Sequence, residues 1–190
     1  MAFARKGSPF VSLVRLTTAS LAGIPSIVYG LFGFLLFVVA CGMGFSILGG
    51  ALTLAVMVLP LIMRTTEEAL KSVPDSWREG SFALGAGRLR TIFRVVLPAA
   101  VPGILSGVIL SIGRIVGESA ALLYTAGTVA AMPESLLSSG RTLSVHMYAL
   151  LSEGLYVNEA HATALVLLIV VLLINFASSA VAALLVRERS

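Results

Sequence analysis

The sequence predicts an all-α fold, a polytopic transmembrane helical bundle. Composition gives the first reason: 58% of the 190 residues are hydrophobic and 12% are charged, against about a quarter charged in a soluble domain. With a mean hydropathy of +1.02, a water-soluble fold could not hide its apolar surface, so the bilayer is the solvent. Segment length gives the second: four apolar stretches can cross a hydrocarbon core of ~30 Å, which takes ~20 helical residues. The third is the placement of cations between those stretches and not within a common face.

The first predicted span covers residues 24–45 and the second 48–63, with Pro60 inside it. A glycine-rich turn around Gly42, Gly44, Gly49 and Gly50 joins them. The third covers residues 99–126 and the fourth 162–186, which carries no charge. Residues 1–20 form a basic N-terminal stub, without the compact apolar core and cleavage site of a signal peptide. The remaining 21–190 form one membrane domain. Cys41 is the sole cysteine, so no intrachain disulfide forms.

Arg5, Lys6 and Arg15 precede the first span. Arg64, Lys71, Arg78, Arg88, Arg90 and Arg94 lie between the second and third, and Arg187 and Arg189 follow the fourth. Only Arg141 falls between the third and fourth, beside Glu134, Glu153 and Glu159. The positive-inside rule therefore places both termini and the 64–97 loop in the cytoplasm, and the 127–161 segment outside. The sequence pI of 9.7 serves topology. The cations are spread along loops, which argues against a nucleic-acid partner.

The 64–97 loop carries structure. Ser72-Val73-Pro74-Asp75 has the proline and early acid of a helix start, with Ser72 or Val73 as cap. Trp77, Ser81 and Leu84 then follow at helical spacing, and Gly85 and Gly87 stop the helix. A second helix over 88–96 runs into Pro98. Glu79, Gly80 and Ser81, the glycine at Gly85, and Val95, Leu97 and Pro98 resemble the cytoplasmic Glu-Ala-Ala loop of ABC importer permeases. Gly80 and Ser81 replace the two alanines of that pattern, and Val95 its isoleucine. The likeness implies a type I, MetI-like permease whose coupling helix docks in an ATPase subunit through Trp77, Arg78, Glu79, Ser81, Leu84, Gly85, Leu97 and Pro98. A short amphipathic helix suits a partner's groove, and charge pairing of Glu79 with nearby arginines would fix its angle.

Ile24 to Gly30, Gly113 to Thr125 and Thr142 to Tyr148 are similar to phosphate-specific permeases, in particular the PstA-type subunit. That resemblance implies a second permease subunit, two ATP-binding subunits and an external phosphate-binding protein as partners. Relative to the usual six spans of such subunits, the first two are expected to be missing.

Arg114 and Glu118 fall inside the third predicted span. Arg114 lies roughly 22 Å past Ala99 at ~1.5 Å per residue, where a charge costs ~2.5–3.5 kcal/mol on insertion scales and generally lines a pathway. Its planar donor fork suits phosphate. Glu118, four residues on, is placed to pair with Arg114 and to accept from a protonated phosphate oxygen. A structural ion pair between helices is the other reading of the two charges. Gly103, Gly107, Gly113 and Gly117 have the small-xxx-small spacing of close helix packing. Pro60 and Pro102 shape their helices, Asn175 is expected in a helix–helix hydrogen bond, and Ser106, Ser111 and Ser119 are candidates to hydrate a passage.

No Gly-x-x-x-x-Gly-Lys-Ser/Thr loop is present, so ATP is expected at a partner and no cofactor at this chain. His146 and His161 have no ligand-spaced companions, and no metal site is expected. No nucleophile frame is present, so no catalytic residue is assigned. The amphipathic stretch over 142–151 suits the membrane surface or an external binding protein. Three alternatives accompany the phosphate reading: another oxyanion such as sulfate or molybdate, an ion-coupled transporter with Glu118 as proton carrier, and a truncated, non-transporting remnant.

Overall fold

The computed structural model describes residues 9–154 and 156–187, so Arg5, Lys6 and Arg189 lie outside the described residues. Every regular element among those described is helical, as the composition predicts. The order is α1 (Pro9–Ala22), α2 (Ser26–Gly33), α3 (Ile47–Lys71), α4 (Asp75–Ala83), α5 (Arg88–Thr91), α6 (Leu97–Val116), α7 (Ala120–Leu123), α8 (Leu143–Glu153) and α9 (Val157–Arg187). Wider π-helical turns extend α2 over Phe34–Ala40 and join α5 to α6 over Ile92–Val96.

Among the described residues, three helices have the length and apolar content to cross a membrane: Ile47–Lys71, Arg88–Val116 and Val157–Leu184. The first predicted span differs. Its helix stops at Ala40, and Gly42 and Gly44 turn the chain with φ of 67° and 63°. It reaches four spans only if α1 and the α2 segment count as one, and these are bent by 104° at the 23–25 break. The N-terminal stub is helical from Pro9. Gly49 and Gly50 belong to the start of α3 and not to the turn before it.

The second span is longer than the predicted 48–63 because i,i+4 ion pairs carry α3 past its apolar part. Arg64 pairs with Glu68 at 3.0 Å and Lys71 with Glu67 at 2.9 Å, a spacing that supports helix on an exposed face. Arg15 of α1 also pairs with Glu67 and holds α1 against this end. The third span is displaced in the opposite sense. It begins at Arg88 and ends at Val116, not at 99–126. Pro98 removes an N–H and crowds the carbonyl one turn back. The π turns at Ile92–Val96 lie where that strain falls, and the helix runs on through the proline. The fourth runs from Val157, five residues before the predicted start.

Packing between α3 and α6 depends on absent side chains. A Cβ on Gly103 would stand 2.7 Å from the Ala69 Cβ, and one on Gly107 would stand 2.2 Å from the Thr65 Oγ1. The two glycines seat two small residues one turn apart on α3, so the backbones approach closely. Two buried clusters bracket this contact. Ala69, Val73, Val96 and Ala100 form the one near the α4 end. Tyr29, Leu54, Met57, Leu122, Ala126 and Val145 form the other. At the latter end the first amides of α3 are all used. Ile47 donates to Ser138, Leu48 to Leu136 and Gly49 to the Ser46 hydroxyl, which satisfies donors a helix start leaves open.

Candidate functional site

Two places carry the residues singled out by the sequence. The first is the α4 loop. Pro74 caps α4, in place of Ser72 or Val73, with Asp75 in the first turn. At the far end Gly85 takes φ 80°. Its N–H donates to Phe82 at 2.9 Å, and Ala86 donates to Ser81 at 3.1 Å. This is a Schellman closure, which a residue with a Cβ would strain. It leaves Leu84 at the tip, 90% exposed, with Trp77 at 54% and Phe82 at 44%. Leu97 and Pro98 are half-buried where the π turns enter α6.

The helix is tied in place on its other side. Arg78 pairs with Asp75 and donates to the Leu70 carbonyl at 2.7 Å, which fixes α4 to the end of α3. Ser81 and Thr91 share a hydroxyl hydrogen bond of 2.9 Å, which fixes α4 to α5. An alanine at 81 could not make that bond, so the departure from the expected Glu-Ala-Ala pattern has a structural use. The predicted pairing of Glu79 with arginines does not form among the described residues; Glu79 is exposed, and Asp75 is the partner of Arg78.

The second place is the end of α6. Gly117 closes α6, and the chain unwinds through Glu118 and Ser119 before α7. The expected Arg114–Glu118 pair therefore does not form, because the two are not on one continuous helix. The Glu118 carboxylate instead accepts from the Ala121 N–H at 3.2 Å, and the Glu118 carbonyl accepts from the Ser144 hydroxyl at 2.6 Å. Glu118 is a cap for α7 and an anchor for α8. Helix α8 is accordingly built into the bundle by its first turn, where Ser144 and Val145 are buried.

Arg114 is left exposed on the chain's own surface, without an ion pair among the described residues. It shares an open cavity of about 740 Å³ with Ser106, Gly113, Asn175 and Ser179. A Cβ on Gly113 would stand 3.3 Å from the Asn175 Oδ1, so the missing side chain lets α9 bring its amide against the residue before Arg114. Asn175 makes no hydrogen bond among the described residues, contrary to expectation. Among the described residues, a Cβ on Gly117 would meet only the Gly113 carbonyl, at 3.9 Å, so no other helix packs on it there. Asn175 lies roughly 27 Å along α9 from Val157 and roughly 18 Å from Arg187, at ~1.5 Å per residue. The last turn of α6 thus ends against the middle of a spanning helix. Unwound backbone at that depth is tolerated only where protein or a water-filled cavity surrounds it. Sequence reasoning placed Arg114 correctly in an apolar segment, and it missed Asn175 as its neighbour because nothing in the sequence aligns α6 with α9.

A family model matches residues 1–190, that of the binding-protein-dependent transport system inner membrane component. The chain belongs to this family. It is accordingly a multi-pass component of an inner membrane. It is 40% identical over 182 residues to a probable ABC transporter permease protein, YqgI, of Bacillus subtilis, covering 87% of this chain and 62% of that protein. It is 45% identical over 119 residues to the phosphate transport system permease protein PstA of Mycobacterium leprae, covering 63% and 39%. The chain thus spans less than two thirds of these relatives. Among solved structures, one of the inward-facing MetNI methionine ABC transporter matches with TM-score 0.75 at 22% identity, over 93% of this chain and 76% of that one. That likeness bears out the MetI-like fold.

Proposed function

We propose that the chain is a non-catalytic permease subunit of an ATP-driven importer of inorganic phosphate. It works with a second permease subunit, two ATP-binding subunits that use the ATP, and an external phosphate-binding protein. Both termini and α4 face the cytoplasm. The observation that carries this reading is the exposed apolar tip of α4, with Leu84 90% exposed on a helix closed by Gly85 and tied down through Arg78 and Ser81. A helix that is rigidly held and apolar on its free side is what a partner's groove can grip. Force applied there passes to α3 through the Leu70 carbonyl and to α6 through Thr91.

Phosphate as cargo is supported by the name of the Mycobacterium leprae relative and by the exposed Arg114. A guanidinium facing lipid at that depth would be costly, so it faces a pathway, where its fork suits a tetrahedral oxyanion. The test is ATP-driven phosphate uptake by vesicles holding the assembled importer, with co-purification of the ATP-binding subunits read in parallel. Leu84→Asp is expected to lose both partner and uptake. Arg114→Lys is expected to keep the partner and lose uptake. Full uptake by Leu84→Asp would remove the docking reading, and full uptake by Arg114→Lys would remove the oxyanion role.

A further inference from the structure

The end of α6 and the facing part of α9 bear on specificity. At neutral pH inorganic phosphate still carries a proton, whereas sulfate carries none. A site that separates them needs an acceptor for the P–OH beside its cationic donor. Glu118 is committed to the cap of α7, where its carboxylate receives the Ala121 N–H. Asn175 lines the cavity that Arg114 lines; its Oδ1 lies against Gly113, and its amide has no hydrogen-bond partner among the described residues. Both line the same cavity, with Ser179 one turn further along α9 and Ser106 on α6.

We propose that Asn175 is the phosphate-selecting group of this pathway. An amide carries two donors and an acceptor. Its NH₂ donates to an anionic oxygen held by Arg114, and its Oδ1 accepts from the protonated oxygen. Sulfate satisfies the first contact and leaves the second unmade, and a polar group left unpaired by the wrong substrate is a strong means of rejection. The cavity is also lined by the apolar Leu61, Ile109, Leu110 and Val171, surroundings that strengthen a polar contact. This inference rests on the phosphate-importer reading and adds to it the residue that discriminates.

The test uses the assembled importer in vesicles, in a Cys41→Ser background, since Cys41 is the sole cysteine. Ser179→Cys places a thiol at the exposed edge of the cavity. It is expected to react with a charged, water-soluble methanethiosulfonate, and phosphate is expected to slow that reaction roughly tenfold more than equal sulfate, the weight of one hydrogen bond. Adding Asn175→Leu is expected to collapse that difference while Arg114 keeps some protection by both anions. Reaction only with a lipid-soluble maleimide, which would put the cavity against lipid, overturns the proposal. So does no reaction with either reagent, or equal protection by the two anions with Asn175 in place. Should the variant carrying Asn175→Leu fail to assemble, equal protection in the Ser179→Cys chain still overturns the proposal. Loss of phosphate uptake by the parent importer would sink the importer reading and this inference together. Intact uptake with no selective protection would sink this inference alone.

Discussion

Helices α3 and α9 are both long enough to cross a bilayer, and they are built for different neighbours. In the most apolar window of α3, 39% of residues are buried inside the chain; in that of α9, none are. Helix α3 owes its burial to small residues. Thr53, Thr65 and Ala69 meet Gly33, Gly107 and Gly103 at distances no Cβ would permit. Helix α9 presents leucine and phenylalanine over a broad face, with Leu168, Leu172 and Phe176 at 55%, 60% and 76% exposed. In a bilayer, lipid tails are as apolar as leucine, so burying such a surface gains little and close backbone packing gains more. The difference teaches which helix holds this chain together and which faces outward to lipid or another subunit.

The largest expected effect comes from filling the α3–α6 contact. Gly107→Leu would drive a side chain into the Thr65 hydroxyl, already 2.2 Å from the position of a Cβ. Overpacking of this kind costs ~1–3 kcal/mol or more. The expected outcome is a purified chain with a markedly lowered melting temperature in detergent, or none recovered. Gly107→Ala combined with Thr65→Gly is expected to restore most of the stability, since it returns the lost space from the other helix. Failure of that pair to recover would mean that α3 and α6 do not meet at this point.

A middle-sized effect is expected at the far end of α3. Glu67 receives both Arg15 and Lys71, and its side chain is 14% exposed. Glu67→Gln keeps the shape and removes two ion pairs, each worth about 0.2–1 kcal/mol when its cations are partly solvated. Stability is expected to fall by about 1 kcal/mol, and protease sensitivity to rise in α1, which Arg15 ties to this end. High salt should shrink the difference from the parent chain, because screening weakens the pairs in both.

What could be read from the sequence follows the same division. The bilayer, the helical fold and the short α4 helix were legible because composition, the apolar runs and the Glu79–Pro98 spacing are local properties. The close-packing role of Gly103 and Gly107 was legible as a spacing, although their partners Ala69 and Thr65 were not. The end of α6 was hidden because Gly117 and Glu118 sit within a continuous apolar run, and the closure at Gly117 and the bonds that Glu118 accepts from Ala121 and Ser144 show the chain turning there. The Arg114–Glu118 pair failed for that reason. Asn175 was legible as a polar residue in a span and not as a neighbour of Arg114, since register between two spans is set by packing. The length of α3 was underestimated because Arg64, Glu67, Glu68 and Lys71 look like a loop in composition and form a helix through their pairings.

The smallest expected effect is the most informative about α9. Leu172→Ala removes apolar surface that is 60% exposed on this chain, so in detergent the isolated chain should change by less than about 0.5 kcal/mol. The same substitution in the assembled importer separates two surroundings. If α9 faces lipid, the change stays small, because acyl chains fill the space that the leucine leaves. If a second permease packs against Leu172, the loss rises toward the ~2–5 kcal/mol of a truncated core leucine, and the assembly melts earlier while the isolated chain does not. Asn175, almost one turn along the same helix, sits against α6, so a partner at Leu172 would close the cavity from its open side. A small effect in both settings would leave that side open to the bilayer, and the guanidinium of Arg114 would then have to be screened by α9 alone.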